Sequence, residues 1–311
     1  MFDILTPMTQ TEQIPSSKEH VLLFARGFCM GAADLVPGVS GGTMAFILGI
    51  YQPLLDALHA IDLKFARLIL TLRWREAFQT LPWRFLSVLG FGIATAILTL
   101  SRPIHWALGK HPSLVWAFFF GLVFASVLVV RKRIRNWSPY LILIALATLT
   151  LTYFLVGLIP IETPHTPLFT FLSGAIAICA MILPGISGAF VLVLLGKYSY
   201  ILSALIHFDL LVLFTFAAGC VIGLLSFVRI LRWLIAHFPD PTVAALTGLM
   251  IGSLRKVWPW QLPAAEGSSS LVLALPQALS FYDLGAILCM GAGFLLVLGL
   301  EKLATLRFTR E

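Results

Sequence analysis

Long apolar runs separated by short polar stretches dominate the chain from about residue 85 to residue 303. A helix that crosses the hydrocarbon core of a bilayer needs about 20 such residues. The runs predict six membrane-spanning helices, at residues 85–101, 114–130, 140–159, 211–228, 242–257 and 282–303. Outer-membrane barrels are built from short strands of alternating polarity, which these continuous runs do not resemble. The pattern indicates an all-α polytopic membrane protein.

The second pattern is an internal repeat. Residues 27–63 align without gaps with residues 174–210 and are identical at more than a third of the positions. A further block, residues 92–126, aligns with residues 219–253. Each half then contains one broken-helix, re-entrant hairpin followed by three transmembrane helices. Because three is odd, the second half is inserted upside down, and the sequence predicts an inverted repeat of the kind found in many transporters.

The repeat divides the chain into two halves, residues 21–160 and 161–306. Residues 1–20 are polar and predict a disordered cytosolic tail, and residues 307–311 form the C-terminal tail. The first half carries an insertion, residues 64–83, in which arginines alternate with Leu, Ile, Phe and Trp. This composition predicts an amphipathic helix on an anionic membrane face, with an ordinary charged loop as the alternative.

Charge and cysteine usage narrow the class of protein further. Only 11% of the residues are charged, and the formal net charge is +7. The basic residues lie at the ends of apolar runs, which is a mark of membrane topology and not of nucleic-acid binding. Most of them fall on the side of the N terminus, so both termini are expected to be cytoplasmic. The four cysteines lack the spacing of a metal site, and no cofactor or metal is expected.

Each half opens with a Pro-Gly-x-Ser-Gly motif, PGVSGGT in the first half and PGISGAF in the second. Such a break in apolar surroundings must be buried in protein or line a wet cavity, since unpaired backbone groups cost several kcal/mol in hydrocarbon. The helix that restarts after the break presents free N–H groups, which favour an anion such as phosphate. A kink used only for packing is the alternative. The candidate phosphate-binding residues are Pro37, Gly38, Ser40, Gly41, Gly42, Thr43, Pro184, Gly185, Ser187 and Gly188.

Charged residues near the motifs are further candidates. Asp34 precedes the first motif, and an acid within a membrane usually marks an ion or proton pathway. We expect it to bind the coupling ion, with capping or stabilisation of the hairpin as the alternative. Arg102, Arg229 and Arg255 can bind an anion bidentately, although each also fits an interfacial anchor. The small residues of GCVIG and GLMIG predict close helix packing.

Three segments resemble the bacterial polyprenyl-phosphate transporters, a family long known only as a domain of unknown function. They are GFCMGAADLVPGVSGGTMAFILGIYQPLL, ILPGISGAFVLVLLGKYSYIL and GLMIGSLRKVWPW. The resemblance implies a flippase that returns undecaprenyl phosphate from the outer to the inner leaflet, which recycles the lipid carrier of cell wall and peptidoglycan synthesis. The implied partners are this lipid, the surrounding membrane lipids, and a proton or sodium ion whose entry offsets the work of moving an anion inward.

Other functions stay open at this point. An anion channel or another anion carrier uses the same chemistry at helix ends. An intramembrane polyprenyl-pyrophosphate phosphatase also uses Ser- and Gly-rich loops, but it needs acid–base or metal-binding groups beside them. Neither motif contains a histidine, and no acidic residue lies between Glu76 and Glu162. We therefore expect a transporter and not an enzyme.

Overall fold

The structure, a computed structural model, describes residues 17–36, 39–158, 161–263, 271–276 and 280–308. The first half contains α1 (Ser17–Asp34), α2 (Gly41–Ile47), α3 (Tyr51–His59), α4 (Leu63–Leu70), α5 (Trp74–Thr80), α6 (Trp83–Lys110), α7 (Pro112–Arg131) and α8 (Pro139–Leu155). The second half contains α9 (Pro167–Ile182), α10 (Gly188–Leu194), α11 (Tyr198–Ile206), α12 (Leu210–His237), α13 (Pro239–Ser253), β1 (Gln261–Pro263), β2 (Leu271–Leu273) and α14 (Phe281–Phe308). The two short strands pair antiparallel.

Several helices are long and apolar enough to cross a membrane. In the described part of the chain these are α6, α7, α12 and α14. A fifth candidate consists of α10 and α11 together, which are bent by 105° at the break between them. Helices α8 and α9 are apolar but shorter. The chain is a helical, multi-pass membrane protein, and this part of the prediction is confirmed.

The structure corrects several predicted boundaries. Helices α6 and α12 continue to Lys110 and His237, well past the predicted spans, because polar side chains near a membrane edge do not interrupt a helix. The insertion at residues 64–83 forms two short helices and not one. Leu72 between them has a φ of 58°, a left-handed conformation that ends α4 and turns the chain. Helix α1 begins at Ser17, inside the segment predicted as a tail.

The repeat relates the main helix pairs to one another: two pairs lie within a half, and two join the halves. Helix α1 lies along α6 as α9 lies along α12, and α7 lies along α14 as α13 lies along α8. Glycines permit these close approaches: a Cβ atom on Gly27 would collide with the carbonyl oxygen of Leu89. A Cβ atom on Gly219 would collide with that of Phe171, and Gly248 is equally close to α8. The packing role predicted for GCVIG and GLMIG is confirmed.

The main apolar core surrounds α2, whose residues are all buried. Its other members come from helices of both halves, and include Met30 of α1, Val123 of α7 and Met250 of α13. The helix that follows the first Pro-Gly motif is therefore surrounded by protein on all sides. This placement agrees with the requirement that a helix break in a membrane be shielded from lipid.

Candidate functional site

The two Pro-Gly motifs meet in the interior. We call residues 35–40 the first loop and residues 183–187 the second loop; Pro37 and Gly38 lie outside the described residues. The hydroxyl of Ser40 lies 3.1 Å from the carbonyl oxygen of Met181 and 3.2 Å from that of Leu183. In the other direction, the N–H of Gly185 donates to Thr43 Oγ1 across 2.9 Å. Each loop therefore forms a hydrogen bond to the helix next to the other loop.

Tyr51, the first residue of α3, strengthens this contact. Its buried hydroxyl donates to the carbonyl oxygen of Ile182 across 3.2 Å. Ile182 is the last residue of α9, where the following loop leaves carbonyl groups without helical partners. Three side chains of the first half, Ser40, Thr43 and Tyr51, thus satisfy backbone groups of the second half.

In the first loop, the donors at the start of α2 are already used. The N–H of Gly41 donates to Asp34 Oδ1 across 2.7 Å, and the N–H of Gly42 donates to Ser40 Oγ across 3.1 Å. A Cβ atom on Gly41 would collide with the Asp34 carboxylate, so only glycine permits this approach. Asp34 therefore performs the capping role that was the alternative to ion coupling.

In the second loop, the equivalent donors are unpaired. The Ser187 side chain does not cap α10, and it has no hydrogen-bond partner in the described part of the chain. The same holds for the N–H groups of Gly188 and Ala189, the first two of α10. The cause is visible in the sequence, because the residue equivalent to Asp34 is the apolar Met181. The second loop thus offers polar donors that no described residue satisfies.

Of the neighbouring cations at the end of α13, the one predicted from sequence faces away from this loop. Arg255 Nη1 donates to the carbonyl oxygen of Tyr153 across 2.8 Å, and its guanidinium lies 4.3 Å from the centre of the Tyr153 ring. It is Lys256 whose ammonium lies over Phe190 of α10, 4.8 Å from the ring centre. Lys256 forms no ion pair among the described residues. Lys256 was not among the residues predicted from sequence, because the end of α13 decides which of the two adjacent cations faces the loop.

Arg102 and Arg229 lie near opposite hairpins. Arg102, in α6, borders a cavity together with Leu35 of the first loop and Tyr198 of α11. Arg229, in α12, lies close to His59, the last residue of α3. Helix α3 is not among the helices long enough to cross a membrane. Burial of His59, together with the nearby charges of Arg232 and Arg229, lowers the pKa of its imidazole. The structure does not gather the three predicted arginines into one cluster.

Metal ligands were not expected from the sequence. In the described ranges, no group of three or more His, Cys, Asp or Glu side chains could hold a metal ion. The cysteines are free and half-buried.

The comparison with known proteins decides the family. Residues 30–271, which include both loops, match the profile of the family described as undecaprenyl phosphate translocase-like. The chain belongs to this family. A polyprenyl-phosphate transporter of Vibrio cholerae serotype O1 is 42% identical over 299 residues, which cover 92% of this chain and 97% of that protein. No solved structure matches the chain.

A second relative in the undecaprenyl phosphate translocase-like family is more distant. It is a polyprenyl-phosphate transporter of Staphylococcus aureus, 29% identical over 253 residues, which cover 75% of this chain and 84% of that protein. The resemblance inferred from the motifs is confirmed. Because both relatives are named as transporters, the expectation of a transporter and not an enzyme is confirmed as well.

Proposed function

We propose that this protein moves undecaprenyl phosphate from the outer to the inner leaflet of the bacterial cytoplasmic membrane, which recycles the carrier for peptidoglycan and cell wall synthesis. The contact between the two loops carries the proposal. A phosphate headgroup must cross about 30 Å of hydrocarbon while its polyprenyl tail stays in lipid. Such a passage needs a polar site that is shielded by protein near the middle of the membrane. The loops, joined by Ser40 and Thr43, are polar backbone in the interior.

The proposed architecture is an inverted repeat of residues 21–160 and 161–306. Its support is that the main helix pairs correspond to one another under the repeat, together with the sharp bend between α10 and α11. In this arrangement the first hairpin enters from the cytoplasm and the second from outside, as re-entrant segments. Both termini lie in the cytoplasm, on the side that carries most of the basic residues. Helices α4 and α5 then lie at the cytoplasmic membrane surface.

The phosphate-binding residues of the proposal are those of the two motifs. In the conformation described here, the second loop is the better anion site, because Ser187 and the first N–H groups of α10 have no hydrogen-bond partner among the described residues. Lys256, beside Phe190, adds a positive charge to that loop. In the first loop, the corresponding donors are bound to Asp34 and Ser40. Arg102 belongs to the proposed path of the headgroup, while binding of phosphate by Arg229 and Arg255 stays a prediction.

Asp34 is the proposed site of ion coupling. Inward movement of an anion works against an inside-negative potential by about 2.3 kcal/mol per charge per 100 mV, so a cation that enters at the same time offsets this work. A proton or sodium ion on Asp34 weakens its bond to the N–H of Gly41. The donors of the first loop then become available to the phosphate. In this way, binding of the cation to Asp34 releases N–H groups that then bind the phosphate headgroup.

The experiment that tests the proposed function measures undecaprenyl phosphate on the outer surface of living cells. Deletion of the gene should raise this amount, and the intact gene should lower it again. A deletion that leaves the surface amount unchanged, in a strain without a second transporter of this lipid, contradicts the proposal. The purified protein should release no phosphate from undecaprenyl pyrophosphate. It should also conduct no anions in liposomes that lack the lipid, which separates it from a channel.

A further inference from the structure

A cavity of about 730 Å³ lies beside α6, near the end that the proposed topology places outside the cell. Ser101, Arg102 and His105 of α6 line it on one side. Tyr198, the first residue of α11, and Leu35 of the first loop line it on the other. The cavity therefore joins a polar stretch of a long apolar helix to both hairpins. Leu35 directly follows Asp34, so the cavity reaches the neighbourhood of the proposed coupling site.

Arg102 is the charged group of this cavity. Its side chain is exposed, and no hydrogen bond or ion pair holds it within the described part of the chain. Ionisable residues within membrane helices often mark the path of a substrate or an ion. A guanidinium suits a phosphate especially well, since its planar N–H groups can form two parallel hydrogen bonds. His105 and Tyr198 place further polar atoms on the same cavity.

The repeat-related position on the cytoplasmic side is closed. There Arg229 and Arg232 of α12 correspond to Arg102 and His105, and α3 corresponds to α11. Helix α12 packs against α3, and Arg232 Nε lies 2.8 Å from Asp56 Oδ1. The residue that corresponds to Asp56 in α11 is Ser203, so the α6 side has no such carboxylate. One of the two related positions is thus an open cavity whose cation has no partner in the described part of the chain, and the other is bridged by an ion pair.

His59 supports this view of the cytoplasmic position. Its Nδ1 atom is buried and has no hydrogen-bond partner among the described residues. An unsatisfied polar atom next to two arginines is unfavourable in a finished packing arrangement. The His59 nitrogen fits a position that opens in another state of the protein, where a polar group can then bind it.

We infer that the cavity beside α6 is the site where the phosphate monoester headgroup of a polyprenyl lipid first binds from the outer leaflet, with Arg102 as its cation. The inference rests on the proposed function and deepens it. The structure then represents the state open to the outer leaflet, while the Arg232–Asp56 pair closes the path to the inner leaflet. Transport requires α6 to approach α11 and this ion pair to separate.

The test uses the full-length protein in liposomes and a photoreactive polyprenyl phosphate whose reactive group is next to the phosphate. Labelled peptides are identified by mass spectrometry, and translocation is measured on the same preparation. We expect the wild-type protein to be labelled on α6 around Arg102 and at the start of α11. Arg102→Gln should reduce this labelling and the translocation rate on the order of tenfold, since it removes one charge-assisted contact. The matched control is Lys110→Gln, which removes an exposed cation of the same helix beyond the cavity and should change neither quantity.

Further arms separate the possible outcomes. Arg102→Lys keeps the charge and should recover part of the labelling that Arg102→Gln loses. If Arg102→Gln lost its labelling only because the fold was damaged, restoring the charge would not recover it. Inorganic phosphate at the concentration of the probe should not displace it; full displacement identifies a site for free phosphate and overturns the inference. If the wild-type protein moves no lipid, the proposed function fails. If it moves lipid and Arg102→Gln is labelled and transports equally well, only the inference fails.

Discussion

The N–H of Gly185 donates a hydrogen bond across 2.9 Å to the hydroxyl oxygen of Thr43, and both groups are buried. The two residues are 142 positions apart and belong to the two related motifs. The second motif has Phe190 where the first has Thr43, so this bond has no symmetric counterpart. Two loops that are similar in sequence are therefore joined asymmetrically. The donors of the first loop are paired, and those of the second loop have no partner among the described residues.

Replacing Thr43 with valine should weaken the joint between the loops. The substitution preserves the shape of the side chain but removes the acceptor of a buried N–H, which costs about 1–3 kcal/mol. We expect a lower melting temperature in detergent and slower lipid transport. Thr99→Val is the control, because the exposed Thr99 hydroxyl bonds only to Thr95 of its own helix. Equal melting temperatures for the two variants would show that the bond is unimportant.

Two substitutions of Asp34 should separate capping from ion coupling. Asp34→Asn keeps an oxygen that can accept from the N–H of Gly41 but removes the negative charge. It should melt close to the wild-type temperature and lose the dependence of transport on the proton or sodium gradient. Asp34→Ala removes the cap as well and should lower stability by about 1 kcal/mol. Ion-dependent transport by Asp34→Asn at the normal rate would remove Asp34 from the coupling mechanism.

The adjacent cations at the end of α13 should respond differently to loss of charge. Lys256→Gln should slow transport several-fold with little change in stability, because its ammonium lies beside the second loop. Arg255→Gln should mainly loosen the contact with Tyr153 in α8. Both rates and both melting temperatures are measured on purified protein in liposomes and detergent. A larger loss of transport in Arg255→Gln would favour the original prediction for Arg255.

Helix packing can be tested with a pair of glycine substitutions. Gly219→Ala places a methyl group against the Phe171 backbone and forces α9 and α12 apart, which costs about 1–3 kcal/mol. Gly291→Ala, in α14, is the control, since nothing lies within 4 Å of its Cβ position. Only the first variant should unfold at a lower temperature. If Gly219→Ala were as stable as the wild type, the close approach of the two helices would be in doubt.

The sequence predicted the class of fold and the importance of the two motifs for definite physical reasons. Apolar runs of bilayer length leave few alternatives to membrane helices, and the repeat of PGVSG as PGISG marks related breaks. Asp34 was identified because acids are rare in such runs. Its capping alternative was stated without a partner, and the structure supplies one in the N–H of Gly41.

Other features depend on three-dimensional packing that the sequence does not express. The separation of α4 from α5 requires the left-handed backbone of Leu72, which a leucine does not predict. The orientation of Lys256 depends on the end of α13, and the Arg232–Asp56 pair depends on how α12 meets α3. Packing also determines that the N–H donors of the first loop are paired and that those of the second loop have no partner among the described residues. Met181 in place of Asp34 was the one visible signal of this difference in the sequence.

The most direct test of the central claim is the rate at which Ser187→Val moves undecaprenyl phosphate across liposome membranes. The Ser187 hydroxyl has no partner among the described residues, so the change breaks no hydrogen bond there but removes a polar group from the start of α10. If the second loop binds the phosphate headgroup, the rate should fall about tenfold or more while the melting temperature stays near that of the wild type. A wild-type rate in Ser187→Val would contradict the claim.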